Sequence, residues 1–391
     1  MTTFCETFQG YLDRRTHAPP AFHVHAALAC LSQAIGNNMY CPGWSRELFP
    51  NLYAVIIAES GSGKSVPLDM TERLLAKAKI QTQLPDSFSF EALVGQICEI
   101  PQGIFVIQEF SGFMGTVKRD YNKEVVPLLT ELYDVPLTPK KRVTQRGTVT
   151  IPPYPFLTVL GASSPDWFIE AFKASDLRGG FLARFVWCPS SDLGPRVKEP
   201  GDFDAVTESI LVNHLTAIQD AVYERRQKGV KMQRADFSRL GALIDAFDEE
   251  QEKRIRLSTD DFRGMRSRGT ALAKKVAMLF MLSRDPETTQ VSKEDFEIAC
   301  SYVRQSHHLA ETFLGDRVPR NPADAERIRL RSLIRQAGGA IDYAGLLRQS
   351  HLDKWEFERA INTLEAGRYI TVHDRPGHGF SDRYIRMEIS L

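Results

Sequence analysis

From Asn51 to Pro189, short apolar runs alternate with stretches whose apolar residues recur every three or four positions. Such alternation predicts strands separated by helices, layered around a mainly parallel sheet, so the fold class is α/β. The predicted strands are Tyr53 to Ala58, Gly103 to Ile107, Phe156 to Gly161 and Phe185 to Cys188. Between the second and third, Val125 to Tyr133 reads as an amphipathic helix. Lys140 to Ile151 reads as a hairpin whose two β-rich arms flank Gln145-Arg146-Gly147.

The pattern changes on either side of this region. Residues 1–47 carry two predicted helices, Phe4 to Arg14 and Ala21 to Ile35, parted by Ala18-Pro19-Pro20 and closed by Gly36-Asn37. From about Phe203 to Leu314 the spacing is helical, as in Leu240, Leu243, Ile244 and Phe247, or Ala273, Val276, Ala277 and Phe280. Gly315 to Pro322 holds two prolines and no periodicity, the mark of a linker. Three helices (Ala323 to Gln336, Tyr343 to Gln349, Lys354 to Ala366) and two short strands (Tyr369 to Thr371, Tyr384 to Ile389) then predict a winged helix-turn-helix. The expected segments are 1–47, a core at 48–200, a helical lid at 201–315 and the winged helix at 323–391.

The chemistry begins where the first strand ends, at Ala58-Glu59-Ser60-Gly61-Ser62-Gly63-Lys64-Ser65. A glycine-rich turn between a strand and a helix aims backbone N–H groups at phosphate oxygens, at the positive end of the helix. Lys64 is placed to reach the β- and γ-phosphates, and the Ser65 hydroxyl to coordinate Mg²⁺. ATP with Mg²⁺ is therefore expected on Ser60, Gly61, Ser62, Gly63, Lys64 and Ser65. The usual pattern opens with Gly where this chain has Ala58, and the competing reading is a Gly/Ser turn that holds no ligand.

The second strand runs out into Gln108-Glu109. In ATP hydrolases such a strand ends in carboxylates, the first serving the Mg²⁺ shell and the second polarising the attacking water. Glu109 fits the second role and stands with Ser65 on the metal side. Gln108 occupies the place of an Asp, offering a hydrogen bond without charge. Alternatively the strand simply ends at a solvated polar pair. The third strand leads into Ser163-Ser164-Pro165, where a serine contacts the γ-phosphate or merely caps the next helix. Arg184 lies among apolar residues and needs a partner, either a phosphate across a subunit interface or a local carboxylate such as Asp176. Arg268 belongs to a basic span with Arg263, Arg266, Lys274 and Lys275, and is the weaker candidate for sensing nucleotide.

Of the 391 residues, Lys and Arg number 49 and so do Asp and Glu, so no global basic field attracts nucleic acid. Contact with single- or double-stranded DNA has to come from local patches. Lys140, Lys141, Arg142 and Arg146 in the hairpin form one, and Lys354, Arg359 and Arg375 in the C-terminal segment form another. Winged helices also dock proteins, and Asp353, Glu356, Glu358 and Glu365 dilute the second patch. The six cysteines are scattered without zinc spacing, as expected of reduced, mostly buried thiols. No apolar run approaches the roughly 20 residues of a membrane helix and no signal-peptide pattern opens the chain, so the default expectation is a cytoplasmic location without membrane contact.

In this order the motifs resemble the AAA+ helicase-like proteins of phages and mobile elements, a domain-of-unknown-function family. The strings that carry the resemblance are Pro50-Asn51-Leu52-Tyr53 leading into Ser60 to Ser65, and Gly179-Gly180-Phe181-Leu182-Ala183-Arg184-Phe185. The second is also similar to the arginine-finger segment of minichromosome-maintenance replicative helicases, which carry a C-terminal winged helix. The resemblance covers roughly residues 5–315 and departs from the family at Ala58 and Gln108. It implies an AAA+ ATPase core in a ring, by expectation a hexamer, with ATP at subunit interfaces and DNA in the pore. It further implies that Glu109 activates water, that Ser164 senses the γ-phosphate and that Arg184 reaches into a neighbour's site. The expected activity is that of an ATP-dependent DNA helicase or translocase of a mobile element, working beside a primase or polymerase. An ATP-switched initiator or loader that does not unwind processively is the alternative.

Overall fold

The computed structural model describes residues 2–80, 83–85, 88–119, 122–144, 147–171, 180–192, 194–198, 204–258, 260–315, 317–318, 322–374 and 383–387. The chain divides into two units, residues 1–311 and 312–391. At the centre of the first is a four-stranded sheet of β3 (Tyr53–Ile57), β4 (Gln102–Ile107), β7 (Phe156–Ser163) and β8 (Phe185–Pro189). Their order is β4-β7-β3-β8, and every neighbouring pair is parallel. β3 and β7 are buried along their whole length, which is why they read as continuous apolar runs rather than alternating ones.

Helices α1 (Phe4–Asp13) and α2 (Pro20–Ile35) belong to the same hydrophobic core as the sheet. α1 is opened by a capping box in which Thr3 and Glu6 each bond the other's backbone N–H. Every residue of α2 from Ala26 to Ile35 is buried, the signature of a central helix rather than a surface one. It packs on β3, β7 and β8, and on α3 (Ser65–Lys77), α8 (Ala205–Gln227) and α11 (Gly269–Arg284). Two of its polar side chains find partners elsewhere in the chain. The Ser32 hydroxyl meets that of Thr158 at 2.8 Å, and the His23 ring donates to Asp13 at 3.0 Å. The stretches 1–47, 48–200 and 201–315 thus all contribute to one core.

Between the sheet strands come α4 (Phe90–Glu99), α5 (Phe110–Val117), α6 (Val125–Tyr133) and α7 (Pro165–Ala171). β5 (Lys140–Thr144) and β6 (Gly147–Ile151) form the antiparallel hairpin that the sequence predicts. Three short strands were not expected. β1 (Met39–Pro42) pairs antiparallel with β2 (Glu47–Leu48) and parallel with β9 (Gln233–Arg234). The last of these interrupts the stretch read as wholly helical, which otherwise holds α8, α9 (Gly241–Leu257), α10 (Asp260–Arg266), α11 and α12 (Lys293–Gly315).

In the second unit α13 (Pro322–Gln336), α14 (Tyr343–Ser350) and α15 (Lys354–Ala366) pack with β10 (Ala340–Asp342), β11 (Ile370–Asp374) and β12 (Arg383–Met387). The antiparallel strand order is β10-β12-β11, over a core that includes Leu330, Leu346, Phe357 and Ile385. Asp342 and Asp353 cap the two helices that follow them, accepting from Gly345 N at 2.6 Å and Glu356 N at 2.8 Å. β10 is a further strand that the pattern of residues does not predict.

Candidate functional site

Because the four sheet strands run the same way, their C-terminal ends share one edge. There the chain leaves β3 through Ala58 to Lys64, β4 through Gln108-Glu109 and β7 at Ser163-Ser164. Ala58 N bonds Ser163 O at 3.1 Å, tying the first and third exits together. In open α/β sheets ligands bind in the crevice outside this edge.

The Ala58–Ser65 loop turns on two glycines in the left-handed region, Gly61 at φ +81° and Gly63 at φ +78°. It is braced from outside by the segment between α1 and α2. The His17 ring donates to Gly61 O at 3.0 Å, and a Cβ on Gly63 would stand 2.8 Å from the Thr16 hydroxyl. Helix α3 starts at Ser65 with no side chain capping its N-terminus and no acidic residue in its first turn. Its positive end thus has no side chain that offsets it among the described residues. Ser60 and Ser65 are exposed, and among the described residues the Lys64 ammonium has one weak contact, with Glu59 O at 3.5 Å. Ser62 is buried, and its hydroxyl has no hydrogen-bond partner among the described residues.

Glu109 is exposed at the start of α5, and its carboxylate does not cap the helix. Gln108 donates from Nε2 to Oδ1 of Asp69, on the second turn of α3, at 2.8 Å. Asp69 was not foreseen, although it lies four residues after Ser65 and so on the same helix face. Of the two serines at the β7 exit, Ser163 is buried and donates to Ser111 at 3.1 Å, while Ser164 is half-buried at the start of α7.

The loop with its two glycines, the uncapped helix end, a lysine without a strong partner, a serine hydroxyl and two exposed carboxylates suit a magnesium nucleotide. Among the described residues no group of three or more His, Cys, Asp or Glu side chains gathers around a metal position. Mg²⁺ is commonly held by one or two carboxylates together with substrate phosphates.

Arg184 stands elsewhere. It immediately precedes β8, whose first residue is level with Tyr53 at the start of β3, so it lies at the opposite edge of the sheet from the loop. Only 7 % exposed, its guanidinium donates to Asp134 Oδ2 at 2.8 Å and Gly180 O at 2.6 Å. Within this chain Arg184 forms a local ion pair with Asp134. Asp176, the carboxylate named from sequence, lies outside the described residues.

Asp134 also takes Arg46 at 3.4 Å. Close by, Lys275 Nζ donates to Asn51 Oδ1 at 2.8 Å and to Tyr133 O at 3.2 Å, and sits 3.7 Å from the centre of the Tyr133 ring. Burial outweighs these contacts and pushes the Lys275 ammonium down to about 7. Arg268 donates to Gly264 O at 2.9 Å, and its pKa is lowered by burial and then by Arg184. It belongs to this cluster rather than to the loop edge.

In the two basic patches several members are paired within the chain. Lys140 and Arg142 both reach Glu131 on α6, while Lys141 and Val143 point outward, Val143 being 81 % exposed. Lys354 meets Glu358 at 3.9 Å in solvent, and Arg359 meets Glu326 at 3.5 Å with its guanidinium 4.8 Å over the Trp355 ring. Trp355 is 67 % exposed. Arg146 and Arg375 lie outside the described residues. All six cysteines are free thiols, and among the described residues no helix is long and apolar enough to cross a membrane.

Compared with known proteins, the chain matches no family model and no curated protein.

Proposed function

We propose that this chain is an ATP-dependent DNA helicase or translocase with an AAA+ P-loop core at 48–200, a helical lid at 201–315 and a winged helix at 323–391, working as a ring-shaped homo-oligomer. The observation that carries the reading is the meeting of the Gly61–Gly63 loop, Lys64, Ser65 and Glu109 at the C-terminal edge of a parallel sheet. Bound there with Mg²⁺, ATP supplies the phosphoanhydride whose cleavage drives motion. In this reading the loop amides and Lys64 neutralise phosphate charge, and Ser65 serves the metal. Glu109, exposed and committed to no helix cap, takes the proton of the attacking water, and Ser164 rather than the buried Ser163 faces the γ-phosphate. The outward Lys141 and Val143 of the hairpin grip the strand, while Lys354 and Arg359, with the exposed Trp355, offer a second DNA contact.

The test is ATP hydrolysis measured with and without single-stranded DNA, alongside the mass of the assembly. The proposal expects hydrolysis that DNA stimulates, a ring-sized mass with ATP, and loss of activity in Lys64→Ala. A monomer in the presence of ATP and DNA would overturn it. Two observations favour a second reading, an ATP-switched initiator or loader. Gln108 brings no charge to the site, and Arg184 is engaged in its own chain. Slow hydrolysis, little stimulation and ATP-dependent binding to duplex DNA would select that reading.

A further inference from the structure

We infer that Asp69 carries the carboxylate that position 108 lacks, and that Gln108 holds it in place as a positioning residue for the metal accompanying ATP. The inference rests on the ATP-binding reading above. A neutral amide after β4 leaves the metal side one negative charge short. The compensating charge is one hydrogen bond away, since Gln108 Nε2 donates to Asp69 Oδ1 at 2.8 Å.

The direction of that bond is fixed by chemistry. An ionised carboxylate only accepts, so the NH₂ end of the amide has to face Asp69 and the carbonyl end has to face away. Gln108 therefore acts on Asp69 as a donor and leaves the carboxylate its full charge. Asp69 Oδ2 remains uncommitted, for no cation pairs with Asp69 among the described residues. The nearest basic residue along the helix, Arg73, is held by Glu208 through two bonds of 2.5 and 2.9 Å.

Position along α3 supplies the rest. Ser65 opens the helix and Asp69 follows at i+4, so the hydroxyl and the carboxylate lie one above the other on a single face. Asp69 is exposed there, at the same sheet edge as Glu109. A carboxylate one turn below a metal-binding hydroxyl suits an outer position, where it accepts hydrogen bonds from metal-bound water. Mg²⁺ keeps several of its waters when bound, which makes such partners effective.

The experiment follows fluorescent mant-ATP binding as Mg²⁺ is titrated, with EDTA as the zero point, and so needs no turnover. In the wild type Mg²⁺ is expected to tighten mant-ATP binding. Asp69→Asn should raise the Mg²⁺ concentration required by about 10- to 100-fold and leave affinity in EDTA unchanged. Gln108→Ala should move the Mg²⁺ requirement the same way by a smaller factor, because the carboxylate stays but loses its support. Combining Asp69→Asn with Gln108→Asp moves the charge back onto β4 and should return the requirement to near the wild-type value, a rescue that a merely structural contact would not give. A Mg²⁺ requirement in Asp69→Asn equal to that of the wild type, with mant-ATP binding intact, overturns the inference and leaves the ATP-binding reading standing. Wild-type protein that binds no mant-ATP with or without Mg²⁺ overturns both.

Discussion

Arg184 donates to Asp134 at 2.8 Å from a position 7 % exposed, at the sheet edge opposite the glycine loop. Removing one member of a buried pair leaves the other uncompensated. Asp134 keeps Arg46 and partial exposure, so the loss belongs at the lower end of the usual range. Arg184→Ala is expected to cost about 3 kcal/mol of unfolding free energy in urea titrations. A variant as stable as the wild type yet unable to hydrolyse ATP would favour the finger role over a purely structural one.

Lys64→Ala should leave stability unchanged, because among the described residues the ammonium meets only Glu59 O, at 3.5 Å. Loss of its charge from the transition state should lower ATP hydrolysis by about 100-fold or more. Paired measurements of urea midpoint and phosphate release separate the two effects.

Gly61 and Gly63 share a left-handed conformation but differ in surroundings. An alanine at either position meets a conformational cost of about 1–2 kcal/mol. At Gly63 the added methyl would also stand 2.8 Å from the Thr16 hydroxyl, whereas at Gly61 the space is open. Gly63→Ala should therefore lower the thermal midpoint more than Gly61→Ala and weaken nucleotide binding more, in side-by-side melting and mant-ATP titrations.

Lys275 makes stability depend on pH. Its ammonium is pushed down to about 7 in the folded protein by burial, from an ordinary value of 10.5 in the unfolded chain. Between those values the unfolded chain holds a proton that the folded protein has released, so stability rises with pH through this window and the contribution is level below about 7. The difference in urea midpoint between wild type and Lys275→Met should move in favour of the wild type from pH 7 to pH 10. Taking the difference removes the buried thiols, such as Cys30 and Cys188, both pushed up to about 12 by burial. A difference independent of pH would show that Lys275 stays charged in the folded protein.

In the hairpin, strand alternation puts Lys141 on the opposite face from Lys140 and Arg142. Lys141→Ala should weaken binding to single-stranded DNA and reduce the slope of affinity against salt by about 1. Lys140→Ala and Arg142→Ala should act mainly through lost pairing to Glu131. Salt titrations of a labelled oligonucleotide check this.

The strands of the large sheet were legible because strands covered on both faces are written as unbroken apolar runs, as in Tyr53 to Ile57. β2 and β9 were not, since two residues such as Gln233-Arg234 carry no periodicity and gain strand geometry only by pairing. The same holds at the site. Loop, Lys64 and Glu109 follow from local order along the chain, but Asp134 and Asp69 are far in sequence from Arg184 and Gln108. Which carboxylate a buried cation or an amide meets is decided by packing, and neither pair is marked in composition or spacing.

The burial of α2 on every face has a consequence for synthesis. This helix leaves the ribosome before any strand of the sheet, and its covering partners extend as far along the chain as α11. For most of translation an apolar cylinder therefore waits without its walls, a situation that exposes a nascent chain to aggregation. Residues 1–311 are expected to resist assembly domain by domain and to close around α2 late, so a truncation anywhere short of α11 should give insoluble protein rather than a smaller working core.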